Sequence, residues 1–384
     1  MIDFRVTRLR ANPSFRLLHF DQVDERERRP LESLAAGPDF YGFLSPPSSS
    51  ALPVKSVSRD AALLFLTLRE PACVPHLLGS LFGEDVQNQL RQLVLDGIFE
   101  IEQGGRFVSG AEAFPELEAS SGQVASSRVA QLSADAIAYA GALEGLDSAE
   151  IATRLYMYNR APATAPLQQK FASDDDLISY VTEGSTTGRQ LESHWTREVI
   201  QQSWLMWRHA GSNSRHNFKL YVSPSLECLP QAFAIAVDTF VHVKCSHFKL
   251  GRTAFGLLRP DKLVAYFVTL EELQQAAELI RASAAGITAQ GVPFTAAIDA
   301  DGLVTWGMDP PRFDQVLSAQ EYQSWRQWVA GRLAVYTLAA KASGAENIPK
   351  AVLQRVGLDG IDTATWSPNL AIWRGDAGSE EEVA

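Results

Sequence analysis

Cysteine is scarce. The 384 residues hold three, at 73, 228 and 245, with no pair or run at metal-ligand spacing. A zinc ribbon and a disulfide framework are therefore not indicated, and a reducing compartment fits. No apolar run approaches the roughly 18 residues of a membrane span. The opening Met1-Ile2-Asp3-Phe4-Arg5 lacks the apolar core of a signal peptide, so a cytoplasmic location is the expectation. No phosphate loop, dinucleotide fingerprint, Gly-x-Ser-x-Gly elbow or His-Glu-x-x-His string occurs. ATP, NAD and zinc chemistry lack support, and no metal or other cofactor is expected.

What is present is ordinary in bulk: 46% hydrophobic, 21% charged, and long enough for two or three domains. Its charge is unevenly spread. The whole chain carries −11, yet residues 207–262 reverse the sign. Arg208, Arg215, Lys219, Lys244, Lys249, Arg252, Arg259 and Lys262 stand against Glu227, Asp238 and Asp261. His209, His216, His242 and His247 share that window. Cations gathered on one unit of an acidic protein indicate an anion-binding cleft; solvated strand and loop ends are the alternative.

The window lies within a stretch, 217–311, with a clear α+β grammar. An alternating strand at 217–222 stops at Ser223-Pro224. A helix over 228–240 follows, carrying Leu229, Phe233, Ala236, Val237 and Phe240. Then come His247-Phe248-Lys249-Leu250-Gly251-Arg252, a turn running into a buried strand at 263–267, and an amphipathic helix over 270–284. Asp299-Ala300-Asp301-Gly302 suits a hairpin turn between 294–298 and 303–306. With Asp309 it makes three nearby carboxylates, for which magnesium or glycosidase chemistry is the other reading.

Phe218-Lys219-Leu220-Tyr221-Val222-Ser223, His247-Phe248-Lys249, Arg259-x-Asp261-x-x-Val264-x-Tyr266, Pro293-Phe294-Thr295 and Asp309-Pro310 together resemble the Hop-type type III effector family. More distantly they are similar to lanthipeptide lyase modules and bacterial phosphothreonine lyases. The resemblance spans a quarter to a third of the chain. It implies β-elimination of phosphate from phosphoserine or phosphothreonine. Such a reaction needs a base for the Cα proton, which a lysine provides when neighbouring cations lower its pKa. It also needs cations around the enolate and the leaving phosphate.

On this resemblance Lys249 is the candidate base, and Lys219, Arg252, Arg259 and Lys262 hold phosphate, with Asp309 orienting a cation. Where the lyases commonly place a histidine acid, this chain has Tyr221. Tyr221 substitutes, or His216 or His247 fills the role, or elimination is lost. Lys249 as a strand-end surface lysine, and Arg259 paired with Asp261 to brace its own turn, are the bland alternatives.

Upstream, residues 1–50 show strand-like pieces at 4–9 and 15–20 and a Pro/Ser-rich linker near 46–50. Residues 51–115 read as a winged helix. A helix carries Leu63, Leu64, Leu66 and Leu68 after Asp60, a second spans 75–81, and a third opens at Gly83. A hairpin then turns at Gly104-Gly105. Four arginines against seven acids over 56–110 is the wrong sign for nucleic acid. This unit looks like PqqD-like peptide-recognition elements, which implies capture of a leader peptide as an added strand; a purely structural role is the alternative.

Residues 124–207 read as helical, with starts at Leu132-Ser133-Ala134-Asp135 and Leu146-Asp147-Ser148. Tyr156, Tyr158 and Arg160 either line a pocket or cap a core. Asp174-Asp175-Asp176 reads as a cap. Trp195, Trp204 and Trp207 fall on helix-like spacing. Tyr322, Trp325, Trp328, Leu333 and Tyr336 mark a last helix, and the tail after Trp373 is expected to be disordered.

The expectation is thus an α+β protein with an N-terminal winged-helix-like unit (51–115, after strands and linker at 1–50) and a helical middle region (124–207). A C-terminal α+β lyase-like domain (208–345) and an extension with a tail (346–384) complete it. Its expected function is phosphate elimination from a precursor peptide of lanthipeptide type, phosphorylated by a separate Ser/Thr kinase. No nucleic-acid or membrane partner is expected, and the oligomeric state stays open. A non-catalytic effector or scaffold binding a phosphorylated or acidic partner is the alternative.

Overall fold

The computed structural model describes residues 4, 6–23, 40–47, 54–74, 86–110, 112, 113, 117, 127–183, 186–209, 217–310 and 324–369. The helix expected at 75–81, the Gly83 start, His216 and the tail lie outside the described residues.

The N-terminal part contains β1 (Arg8–Ala11), β2 (Arg16–Leu18), β3 (Phe40–Ser45), β4 (Lys55–Ser58), α1 (Arg59–Thr67), β5 (Ala72–Cys73), α2 (Val86–Leu95), β6 (Phe99–Gln103) and β7 (Arg106–Val108). Ser58, one position before Arg59, caps α1 by accepting from the Ala61 amide, so it displaces the expected Asp60 cap. Gly104 and Gly105 turn the β6–β7 hairpin with φ of 57° and 78°. The four-stranded sheet runs β5-β1-β6-β7 and the three-stranded one β2-β3-β4. Strand β1 therefore draws the stretches 1–50 and 51–115 into one sheet, and Leu9 and Phe15 share a core with Leu64, Phe65, Val94 and Ile101.

Five helices follow: α3 (Arg128–Ala142), α4 (Ser148–Tyr156), α5 (Ala165–Lys170), α6 (Asp174–Thr182) and α7 (Thr187–His194). Helix α3 begins earlier than expected because Ser127 accepts from the Ala130 amide. Asp147 caps α4 in a reciprocal box with Glu150, as its sequence suggests.

The helix-like spacing of Trp195, Trp204 and Trp207 is overturned. Trp195 ends α7, while Trp204 and Trp207 lie on opposite faces of a strand. The chain forms β8 (Thr196–Ile200) and β9 (Trp204–Arg208), joined through Gln201 and Gln202 at φ of 50° and 55°. This is a left-handed turn without the glycine or asparagine that would announce it.

Beyond lie β10 (Phe218–Val222), α8 (Leu229–His242), β11 (His247–Gly251), α9 (Thr253–Leu257), β12 (Leu263–Phe267), α10 (Leu270–Ser283), β13 (Ala296–Ala297) and β14 (Val304–Met308). The chain then adds α11 (Trp325–Ala342), α12 (Ile348–Leu358), β15 (Ile361–Asp362) and β16 (Ser367–Pro368). Seven strands form one antiparallel sheet in the order β13-β14-β10-β12-β11-β9-β8.

Alternation gives this sheet two unlike faces. One carries Leu220, Val222, Phe248, Leu250, Leu263 and Ala265 into a core shared with Phe233 and Val237 of α8 and Leu273 and Ala277 of α10. Trp207 stacks on Phe248 at 5.3 Å, and Trp195 meets it edge-on at 5.2 Å. Truncating Phe248 would cost about 3–5 kcal/mol.

The opposite face carries Lys219, Tyr221, His247, Lys249, Val264 and Tyr266. Register aligns Tyr221, Val264 and Lys249 in one row and Lys219, Tyr266 and His247 in the next. Helix α11 lies over this face at β14, and α4 packs against α11. A side chain at Gly307 would fall 2.6 Å from Trp325, so glycine is required for α11 to sit so close.

Candidate functional site

Lys249 sits in the middle of β11, half-buried on the polar face. Its ammonium lies 4.1 Å from the centre of the Trp204 ring and 5.7 Å from that of Tyr266. It makes no hydrogen bond and no ion pair among the described residues. Burial above all, then the neighbouring Lys219 charge, lowers its pKa to about 7; Asp261 pulls it back up, Arg259 pushes it down by less, and Asp309 opposes most weakly. An amine in that state is substantially neutral near pH 7 and so has a lone pair to accept a proton.

Lys219 also faces the Tyr266 ring, at 5.6 Å, but is buried and paired with Asp309. Tyr221, in the row beside it, is buried. Burial and then Asp309 hold its phenol well above the usual range, so the hydroxyl stays protonated. Adjacent strands stand roughly 4.8 Å apart. The Cα atoms of Tyr221 and Lys249 are two strands apart in one row, so about 10 Å separates them, with both side chains on one face.

The second half of the site is a buried charge network. Arg259 grips Asp261 through two hydrogen bonds of 2.8 and 2.9 Å and donates to the Tyr156 hydroxyl at 2.6 Å. Arg326 approaches the same carboxylate at 2.8 Å and donates to the Tyr156 carbonyl at 2.8 Å. Burial would raise the Asp261 pKa, but Arg326 and Arg259 outweigh it and keep the group ionised. The Arg259 guanidinium lies 4.7 Å over the Trp204 ring, the ring that also faces Lys249. Trp204 thus joins base candidate and cation network. Lys219, Arg259 and Arg326 outnumber Asp261 and Asp309, leaving a surplus of positive charge next to an amine without a partner.

The other expected residues are placed elsewhere. His247 shares the polar face but stacks on Tyr266 at 4.4 Å, its Nδ1 3.1 Å from the Ser246 hydroxyl. Arg252 pairs with Asp174 of α6 at 2.6 Å, outside the network around Lys249. Lys262 is fully buried, donating to the Pro224 carbonyl at 2.7 Å and to Gln290 Oε1. Asp299 accepts from the amides of Gly302, Leu303 and Val304, which makes it a turn residue. Among the described residues no three His, Cys, Asp or Glu side chains converge as a metal site would require.

Tyr156, Trp204, Tyr266 and Arg326 belong to the candidate site although sequence reasoning gave none of them a chemical role; Tyr156 had pocket lining as one alternative, and Tyr266 stood in the family-like string. Arg326 had a legible signal. With Val329, Ala330, Leu333 and Thr337 it occupies one buried stripe of α11, an unusual place for a cation unless a carboxylate meets it.

No protein-family model matches the chain, and no curated protein does. Its structural neighbours are Pseudomonas effector proteins and phosphothreonine lyases. An effector from Pseudomonas syringae pv. syringae strain 61 aligns with TM-score 0.37 and 11% identity, over 64% of this chain and 99% of that one. An effector from P. syringae pv. tomato strain DC3000 aligns with TM-score 0.35 and 8% identity, over 63% and 98%. The phosphothreonine lyase OspF from Shigella flexneri aligns with TM-score 0.25 and 11% identity, over 38% and 83%. Likenesses this remote leave the chemistry to be argued from the side chains.

Proposed function

We propose that this chain is a phosphate-eliminating lyase acting on phosphoserine or phosphothreonine in a peptide. The observation that carries this reading is Lys249: an amine without a partner, lowered to about 7, beside a surplus of fixed cations. Neutral Lys249 takes the Cα proton. The C–H electron pair becomes the Cα=Cβ bond, the Cβ–O bond breaks, and phosphate leaves with its electron pair. Lys219 stabilises charge developing on the substrate carbonyl, and Arg259, backed by Arg326, holds the leaving phosphate.

With a second pKa near 6 the ester is a dianion at neutral pH, so departure puts a third charge on phosphate. In this scheme Arg259 offsets that charge, and the protonated phenol of Tyr221 supplies a hydrogen bond to the leaving oxygen. The fuller proposal is that the peptide is a ribosomal precursor of lanthipeptide type, captured by the N-terminal unit after phosphorylation by a separate kinase.

A second reading, a non-catalytic binder of a phosphorylated or acidic partner, is favoured by one observation: the Tyr221 phenol is held so far up that it is a poor acid. Mass spectrometry of a phosphothreonine peptide incubated with the wild-type chain and with Lys249→Ala decides between them. Loss of phosphoric acid with wild type only establishes the lyase. Unchanged mass with retained peptide binding leaves the binder.

A further inference from the structure

Arg160 stands at the edge of the polar face and takes no part in the scheme above. It follows Asn159, which adopts a left-handed φ of 63°. Asn159 donates to the carbonyls of Gln290 and Gly291 at 2.9 Å each, and Gln290 Nε2 returns bonds to the carbonyls of Asn159 and Leu258 at 2.7 and 3.1 Å. The Ala161 amide bonds the Leu258 carbonyl at 3.1 Å, which ties this corner to the residue before Arg259. The backbone on both sides of Arg160 is thus held by hydrogen bonds.

The side chain so positioned has no carboxylate bonded to it. Its guanidinium donates to the Phe255 carbonyl at 3.0 Å and lies 5.2 Å over the Phe255 ring, while burial and the Arg259 charge both disfavour its cationic form. Arg259 turns its Nε and Nη2 to Asp261 and Tyr156, leaving Nη1 free of hydrogen bonds. Phe255 itself is 50% exposed, on a short helix next to the charged site.

We infer that Arg160 and Phe255 form a recognition shelf for the phosphorylated peptide. Arg160 helps Arg259 draw the phosphate, and the Phe255 ring seats an apolar side chain next to the phosphorylated residue. This rests on the proposed reading of the site as a phosphopeptide site and adds a sequence preference to it. A two-part shelf of this kind favours phosphoresidues flanked by leucine-like side chains over those flanked by glycine.

The test is fluorescence anisotropy of labelled phosphothreonine peptides with leucine or glycine on both sides, using the full chain carrying Lys249→Ala to prevent turnover. The leucine peptide binds roughly tenfold tighter than the glycine one. Adding Phe255→Ala, an exposed change with little effect on folding, brings the two peptides to equal affinity. Adding Arg160→Gln weakens both alike. An unchanged leucine preference in Phe255→Ala, or no binding of either peptide, overturns the shelf. Elimination by the wild-type chain is read separately by peptide mass. Turnover without the leucine preference sinks the shelf alone, and the preference without turnover sinks the lyase alone.

Discussion

Two lysines, one on a strand and one just ahead of the neighbouring strand, show how one electrostatic perturbation acquires two meanings. Lys249, in the middle of β11, and Lys262, just ahead of β12, are both lowered to about 7, mainly by burial. Lys262 is completely enclosed and donates to a carbonyl and an amide oxygen, Pro224 and Gln290, so it fastens the start of a strand to the loop before α8 and the segment after α10. Lys249 is half-buried, touches aromatic faces only and is reachable. A lowered pKa on an amine with no acceptor of its own is what the proposed base requires; on an amine with acceptors it accompanies a structural pin.

The sharpest break in this comparison is substitution of each lysine in turn. Lys249→Ala is expected to lower elimination by roughly 10²–10⁴-fold, the usual range for a general base, while leaving phosphopeptide binding in place. Lys249→Met is also expected to raise stability, by roughly 1–2 kcal/mol, because a disfavoured charge is removed from a partly screened site. The sign follows from linkage. With a folded pKa below the unfolded one, the native state binds fewer protons between about 7 and 10.5, so wild-type stability rises with pH across that window. The advantage of Lys249→Met is therefore largest below pH 7 and fades as pH climbs toward 10.5, which thermal unfolding at pH 6 and pH 9 would show.

Next in size is the carboxylate under the site. Asp261→Asn leaves Arg259 and the buried Arg326 without their shared anion and is expected to destabilise the chain by about 3–5 kcal/mol, read by denaturant unfolding. The N-terminal unit offers a control. Asp96 joins Lys55 and Arg355, and despite burial these two keep its carboxyl below the ordinary range. Asp96→Asn is expected to match Asp261→Asn in stability while leaving the intrinsic pKa of Lys249 untouched.

Lys262→Met is expected to cost roughly 1–3 kcal/mol, from stranding the Pro224 carbonyl and Gln290, with a loss of turnover much smaller than that of Lys249→Ala. The smallest expected effects concern protons. Tyr221→Phe lowers turnover by about tenfold if the hydroxyl only hydrogen-bonds the leaving oxygen. The kcat/KM profile should rise through pH of about 7 as Lys249 becomes neutral. A flat profile across pH 6–8 would detach the lysine from the chemistry.

Legibility differed by element. The strands at 218–222 and 263–267 and the helices at 229–242 and 270–283 were readable because each pattern has one dominant period and its own stop signal. The β8–β9 hairpin was not, since its left-handed turn is built from two glutamines whose conformation is imposed by strand pairing. That miss carried a functional consequence: a Trp204 placed on a helix could not be seen as the ring shared by Lys249 and Arg259. Tyr156 sat inside a stretch noted for its aromatic density, but nothing local tells a tyrosine that caps a core from one that accepts a hydrogen bond from a distant arginine.

By itself the sequence determined the local periods, the cap at Asp147, the concentration of cations in one window, and hence which strands present polar side chains. These follow from interactions among residues a few positions apart. Tertiary structure decided which cations meet. It set Arg259 and Arg326 on one carboxylate, diverted Arg252 to Asp174 and Lys262 to Pro224, and left Lys249 with aromatic faces alone. Pairing of charges depends on where remote elements pack and how much water that packing removes, and neither quantity is written in any local pattern of residues.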